Sequence, residues 1–339
     1  MIVERIRGAV AESGLIAPGE RVVAMLSGGR DSVCLLDVLV SRCGGEMVRA
    51  LHVNYGLRGA GSEGDERHCS ELCERLGVSL EVRRCEGRGG GAGNLQAWAR
   101  EARYGAAEAL AERLESAAAP GHGDAGARVR VPVASGHTAT DQVETILYRL
   151  SASPGRRALL GMPARSGRVV RPLLAVTREE TAAYCAARGL GWREDESNGS
   201  ARFARARVRG GLAPALAAVH PAAEANVLRT AALLREETEL LEGLVDAELG
   251  DGCEIAVERL RSLPTALRRL VVVRMAELAS GRYVPQAGER VAEILELADR
   301  ARPGPEGRME LHVGGMAGAV VEGGVLRMVK LAPRGSGSP

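Results

Sequence analysis

The chain has 339 residues, room for about two domains of ordinary size, and its 45% hydrophobic and 26% charged residues are the balance of a soluble globular protein. Aromatics make up only 2%, which argues against a base-stacking platform for single-stranded nucleic acid, and no apolar run approaches the roughly 18 residues of a membrane span. Charges interrupt residues 1–25, so no secretory signal is visible, and seven scattered cysteines then indicate a reducing, cytoplasmic setting.

Residues 22–26 form an apolar run, followed by Ser27-Gly28-Gly29 and a helical pattern over 31–40. Residues 47–54 read as a second strand, 63–76 as a helix and 80–84 as a third strand; 94–114 is a helix rich in Ala, Glu, Arg and Leu. A Gly/Ala-rich loop at 115–127 precedes a strand at 129–134 and a helix at 141–150. Strands alternating with helices predict a parallel sheet covered on both faces, a doubly wound α/β fold. The regularity weakens after Pro163, and Pro214 and Pro221 bracket a domain junction. Beyond it the pattern predicts a long amphipathic helix over 222–249, helices over 263–278 and 287–298, and short strands over 311–331. The reading is an α/β domain over 1–216, a smaller, mostly helical domain ending in short strands over 217–332, and a disordered tail at 333–339.

The net charge of +2 conceals clustering: seven arginines and no acid lie between Thr145 and Arg178, and Arg202, Arg205, Arg207 and Arg209 follow. Two readings stand level. The runs are solvated surface in an arginine-rich chain whose single lysine is Lys330, or they form a phosphate-binding stripe.

The string Ser27-Gly28-Gly29-Arg30-Asp31-Ser32 carries the strongest chemical signal. Glycines at a strand end leave main-chain N–H groups uncovered, and the next helix aims its positive end at the same spot, which suits a phosphate. Ser27 and Ser32 add hydroxyls, and Asp31 could hold a magnesium ion. The bland alternative is a turn in which Ser27 or Asp31 caps a helix.

This string resembles the pyrophosphate-binding loop of PP-loop enzymes, which adenylate a substrate and release pyrophosphate. Four more segments narrow the resemblance: Leu51-His52-Val53-Asn54-Tyr55-Gly56-Leu57-Arg58; residues 94–104 with Arg100, Arg103 and Tyr104; Gly136-His137-Thr138-Ala139-Thr140-Asp141-Gln142-Val143-Glu144-Thr145; and Arg171-Pro172-Leu173-Leu174. With Glu194-Asp195-Glu196-Ser197-Asn198 and the arginines after it, they resemble the tRNA(Ile)-lysidine synthetase family over about residues 2–216.

The resemblance implies a PP-loop catalytic domain and a C-terminal tRNA-binding region. It implies adenylation of O2 of the wobble cytidine in a CAU-anticodon tRNA(Ile), then displacement of AMP by the ε-amine of free L-lysine. ATP is the implied co-substrate, Mg2+ the implied cofactor and a homodimer a possible assembly. Ser27, Gly28, Gly29, Arg30, Asp31, Ser32 and His52 would bind ATP; Asp31, His137, Asp141 and Glu144 would be catalytic, with Asp31 and Glu144 on magnesium. Arg100, Arg103, Arg171, Arg202, Arg205, Arg207 and Arg209 would contact RNA. The alternatives are a buried, hydrogen-bonded histidine for His52, favourable acids in a first helical turn for Asp141 and Glu144, and surface charge for the arginines.

By the same resemblance, Thr140 stands where the family usually carries an acid, Tyr55 where His is more usual and Ala206 where Asn is common. Competing functions are a tRNA thiolase on the same loop and a non-catalytic nucleotide- or tRNA-binding relative. Sulfur transfer needs thiolates or cysteine-ligated clusters; Cys69 and Cys73 are spaced Cys-x3-Cys and no Cys-x-x-Cys occurs.

Overall fold

A computed structural model describes residues 1–85, 95–118, 130–152, 155–194, 204–250, 252–300 and 308–332, without the side chains of Gln96, Ala118 and Arg205. The chain divides into two compact units, 1–232 and 233–339, each treated by itself. No helix among the described residues is long and apolar enough to cross a membrane.

The first unit runs α1 (Ile2–Glu12), β1 (Val22–Met25), α2 (Arg30–Cys43), β2 (Val48–Asn54), α3 (Ala60–Leu76), β3 (Ser79–Arg84), α4 (Leu95–Ala118), β4 (Val133–Ala134), α5 (Ala139–Ala152), α6 (Arg156–Leu159), β5 (Arg165–Ser166), β6 (Val169–Val170), α7 (Arg178–Ala187), α8 (Ala204–Arg207) and α9 (Ala213–Val219). Its six-stranded sheet has the order β3-β2-β1-β4-β6-β5. All neighbours are parallel except the β5–β6 hairpin. The chain steps outward from β1 to β3, then returns to place β4 on the other side of β1. Such a reversal opens a crevice at the C-terminal ends of the two strands.

Side-chain alternation explains the two covered faces. Val22 and Ala24 of β1, with Val48 and Ala50 of β2, pack under α1, α2, α3 and α7, whose buried residues include Ile6, Leu35, Leu39, Leu72 and Tyr184. Val23, Met25, Leu51 and Val53 face the other way, against Ala107, Leu110 and Ala111 of α4, which recur at helical spacing. Buried Asp37 of α2 accepts from Tyr184 Oη at 2.7 Å and Arg188 Nε at 3.0 Å, fastening α7 to α2. A reciprocal Thr177–Glu180 capping box starts α7.

The doubly wound fold is as the strand–helix alternation predicts. The fourth strand is shorter than expected, Val133–Ala134 against 129–134, of which Val129 lies outside the described residues. Helix α4 continues to Ala118, into the stretch read as a loop; 119–129 is outside the described residues. Helices α1 and α7 and the two-residue strands β5 and β6 are additions to the sequence reading. Strands that short carry no period to detect.

Helix α10 (Ala223–Leu249) contains the division between the units. The second unit then continues with β7 (Glu254–Ala256), α11 (Val257–Ser262), α12 (Thr265–Ser280), α13 (Val291–Arg300), β8 (Met309–Gly314), β9 (Ala317–Glu322) and β10 (Val325–Lys330). Its antiparallel sheet, in the order β7-β10-β9-β8, packs Val313, Ala319, Val321 and Leu326 against Leu260, Val272, Met275 and Ile294. The tail at 333–339 lies outside the described residues.

Candidate active site

The loop between β1 and α2 is built on Gly28, whose φ of +85° falls where a side chain is strained. Serines lock the turn. Ser32 Oγ donates to the Gly29 carbonyl at 2.8 Å and accepts from the Ser27 N–H at 3.1 Å, and the two hydroxyls are 3.1 Å apart. From below, the buried His52 donates through Nδ1 to the Leu26 carbonyl at 2.9 Å. From above, the backbone N–H of Arg193 donates to the Gly28 carbonyl at 2.9 Å. The result is a rigid turn at the positive end of α2.

The loop after β4 closes onto the same place. A Cβ on Gly136 would lie 3.1 Å from the Asp31 carbonyl carbon and oxygen and 3.2 Å from the Ser32 nitrogen, so any side chain here would press on the backbone of the first loop. Ser135 Oγ and His137 Nδ1 share a hydrogen bond at 2.6 Å. Thr138 and Asp141 start α5 reciprocally: Asp141 Oδ2 accepts from the Thr138 N–H and Oγ1, both at 2.9 Å.

Arg178, the first residue of α7, gathers the acids of both loops. Its guanidinium lies 3.0 Å from Asp141 Oδ1, 3.3 Å from Glu144 Oε1 and 3.6 Å from Asp31 Oδ2, and its backbone N–H donates to Thr140 Oγ1 at 3.3 Å. Arg209 adds a two-point grip on Glu144. Thr181 Oγ1 donates to Asp31 Oδ1 at 2.5 Å. Burial pushes the Asp31 carboxyl up from its ordinary range, the Thr181 hydrogen bond opposes this, and the Asp141 charge adds to it.

These groups border a cleft of about 640 Å³ at the β1/β4 reversal, within the usual range for a small-molecule site. Ser27, Gly29, Arg30, Asp31, Ser32, His137, Asp141, Arg103 and Arg209 line it. Its arginines (30, 58, 103, 178, 193 and 209) outnumber its acids (Asp31, Asp65, Asp141 and Glu194) by six to four, a surplus suited to a polyphosphate. His52 does not border the cleft; it supports the loop from beneath. Glu144 lies behind it, its side chain 3% exposed. A magnesium ion fits Asp31, whose charge burial leaves poorly compensated; it fits Glu144 poorly, because two guanidiniums already match that charge. Among the described residues no three His, Cys, Asp or Glu side chains are grouped to hold a metal ion by themselves.

Most of the first arginine run is occupied internally. Arg149 donates to the Gly161 carbonyl at 2.5 Å, Arg165 to that of Leu15 at 2.9 Å and Arg171 to that of Pro163 at 2.7 Å, while Arg168 pairs with Glu115 and Arg178 with the acids above. Arg171 is buried, so a ligand would reach its guanidinium only by entering the surface beside it. Arg100 and Arg207 are exposed. Arg202 and the Arg205 side chain lie outside the described residues, as do 195–200.

Arg178, Thr181 and Arg193 are site residues that sequence reasoning missed. Each lies over 140 residues from the loop it serves, and nothing in the surrounding sequence pairs it with that loop. Four cysteines are poorly placed to offer a thiolate: Cys34, Cys69, Cys73 and Cys185 are buried, and desolvation pushes Cys73 up to about 11 and Cys185 to about 12.

A pyrophosphate-type loop at the switch point of a doubly wound sheet, faced by an acid-rich helix start, defines a nucleotide-binding α/β protein. The chain belongs to the PP-loop family, whose domain matches residues 3–216. It is similar to tRNA(Ile)-lysidine synthases: 37% identical to that of Solibacter usitatus over 89% of this chain and 66% of the relative. It is 35% identical to that of Geobacter sulfurreducens over 91% of this chain and 65% of the relative. The chain thus spans slightly less than two thirds of these relatives' length. Among solved structures, the U34-tRNA thiolase NcsA from Methanococcus maripaludis shares the fold, with a TM-score of 0.55 and 16% identity over 69% of this chain and 79% of that one.

Proposed function

We propose that the protein is an ATP-dependent carbon–nitrogen ligase that joins free L-lysine to C2 of the wobble cytidine of a CAU-anticodon tRNA(Ile). The observation that carries this reading is the meeting of the Ser27–Ser32 loop with the Asp141 and Arg178 groups in one cleft, within a chain similar to tRNA(Ile)-lysidine synthases over most of its length.

The chemistry runs in two steps. Cytidine O2 attacks the α-phosphorus of ATP and pyrophosphate leaves, held by the N–H groups and hydroxyls of the Ser27–Ser32 loop with Arg30. O2 is then part of a phosphoester, a far better leaving group. The lysine ε-amine attacks C2, the C2–O2 bond breaks, AMP departs and the amine loses its proton. Deprotonation from a pKa of about 10.4 costs roughly 4.6 kcal/mol at pH 7, so the cleft must supply a proton acceptor or a desolvated pocket.

Asp31 would hold magnesium, which would supply charge neutralisation on the phosphates. Asp141 and His137 face the cleft as candidates for the amine and its proton. Glu144 serves by fixing Arg178 and Arg209. His52 positions the loop rather than touching nucleotide. Arg100, Arg103 and Arg207 would meet RNA, and residues 217–332 would bind the rest of the tRNA.

Nucleoside mass spectrometry of CAU-anticodon tRNA incubated with protein, ATP and lysine tests the reading. Lysidine should form only when both small substrates are present. RNA binding without any mass change favours the non-catalytic alternative.

A further inference from the structure

Beside the cleft, α4 borders a second cationic hollow. Arg100 and Arg103 both lie over the Tyr104 ring, their Cζ atoms 4.7 and 5.5 Å from its centroid, an arrangement that steadies both guanidiniums. Arg103 lines the cleft, whereas Arg100 and Tyr104 line the adjoining hollow of about 460 Å³ together with Ser166 and Arg171. Arg171, just past β6, is 6% exposed. One of its Nη atoms reaches the Pro163 carbonyl and its guanidinium lies against the Tyr104 hydroxyl, but its Nε and that hydroxyl are buried without a hydrogen bond of good geometry.

Such groups are uncommon in folded proteins and ask for a ligand or an ion. The charge balance points the same way. Burial pulls the Arg171 pKa down; Tyr104 opposes this, and the positive charges of Arg100 and Arg149 add to it. The acid at the rim, Glu101, is exposed and also borders a neighbouring groove. An anion with several acceptor oxygens would satisfy the guanidinium fork and the hydroxyl together.

We propose that this hollow binds a phosphate group, supplied either by the backbone of an RNA strand entering the neighbouring cleft or as free inorganic phosphate. The first source rests on the tRNA-modifying reading; the site itself does not. The stacked pair Arg103–Tyr104 joins cleft and hollow, so a nucleoside in the first would leave an adjoining phosphodiester near the second. Such a contact sets position and register without reading sequence.

The test measures binding by the full chain without ATP or lysine, so failure of the ligation reading leaves it intact. A labelled RNA hairpin lacking the CAU anticodon is titrated by fluorescence anisotropy at several salt concentrations, and inorganic phosphate is titrated separately by calorimetry. Arg100→Gln and Arg171→Gln should each weaken RNA binding about tenfold and make the log–log salt slope shallower by about one; Tyr104→Phe should weaken binding at an unchanged slope. Loss of phosphate binding in these variants with unaltered RNA affinity identifies free phosphate as the source. If Arg171→Gln does not fold, Arg100→Gln and Tyr104→Phe carry the test. Wild-type RNA affinity, salt slope and phosphate binding in both would overturn the proposal.

Discussion

Arg209 closes on Glu144 through two hydrogen bonds, Nε to Oε1 at 2.6 Å and Nη2 to Oε2 at 3.0 Å, with the carboxylate buried. Arg178 reaches the same Oε1, so Glu144 separates two positive charges inside the protein. Glu144→Ala should cost about 3 kcal/mol, the usual result of stripping one partner from a buried ion pair. Arg209→Gln should cost less, about 1–2 kcal/mol, because Arg178 still answers the carboxylate. Urea denaturation measures both; a loss under 1 kcal/mol for Glu144→Ala would mean that water screens the cluster.

Asp31 behaves in the opposite sense. Its folded carboxyl holds a proton to higher pH than the unfolded chain does, chiefly through burial. The stability linked to this group is therefore fully present below about 3.8, the ordinary carboxyl value, and declines as pH rises through the raised folded value. Asp31→Asn keeps an acceptor for Thr181 and removes the penalty of a buried charge. It should raise the unfolding midpoint at pH 7 but not near pH 3, while ATP-dependent turnover falls by about 100-fold or more. A lowered midpoint at pH 7 would show that Arg178 outweighs burial.

Gly136→Ala tests the contact between the two loops. The new methyl would press on backbone atoms of Asp31 and Ser32, which cannot swing aside as a side-chain tip does. Overpacking of this kind costs about 1–3 kcal/mol. Because the strain falls on the phosphate-facing turn, ATP affinity should drop about tenfold or more. Nucleotide binding and thermal unfolding measured on one sample separate the two effects, and unchanged ATP affinity would mean that the turn does not contact the nucleotide.

Acid should unfold α3 and β3 through Glu66. Arg84 and Asn54 hydrogen bonds hold its carboxyl down to about 2, from an ordinary 4.5. A depressed acid contributes stability that is complete above the unfolded value and is lost as pH falls through the folded one. Glu66→Gln should therefore flatten the loss of stability between about pH 4.5 and 2 and change little at pH 7. Identical acid-unfolding curves would assign that loss to other carboxylates.

The parts of the site legible in the sequence are those fixed by local chemistry. Ser27, Gly28 and Ser32 make a turn that closes on itself, so a six-residue string carries its geometry. His137 and Asp141 sit within one turn of the start of α5, where strand–helix alternation already placed them. Arg178 reads in the sequence as one more cation in a basic run, because its acids lie up to 147 residues away in the chain. The same holds for Arg168 and Glu115, paired across 53 residues. A run of like charge in sequence says nothing about tertiary partners, and here those partners absorb most of it. His52 was legible as a residue at a strand end, but which way it would turn was settled by the Leu26 carbonyl.

Thr140 provides the sharpest test of how the cleft handles a cation. Its hydroxyl accepts the Arg178 N–H at a long 3.3 Å, at the positive end of α7. Thr140→Asp would set a carboxylate against that helix end, worth about 0.3–1 kcal/mol, and beside the Arg178 charge. It would also add a fourth carboxylate to Asp31, Asp141 and Glu144, whose mutual repulsion is of similar size. The two nearly cancel in stability, so the unfolding free energy should move by less than about 1 kcal/mol. They do not cancel for an incoming ammonium group, which gains an acceptor. The apparent KM for lysine should fall about three- to tenfold with kcat little changed. An unchanged or raised KM would mean that the substrate amine is held elsewhere in the cleft.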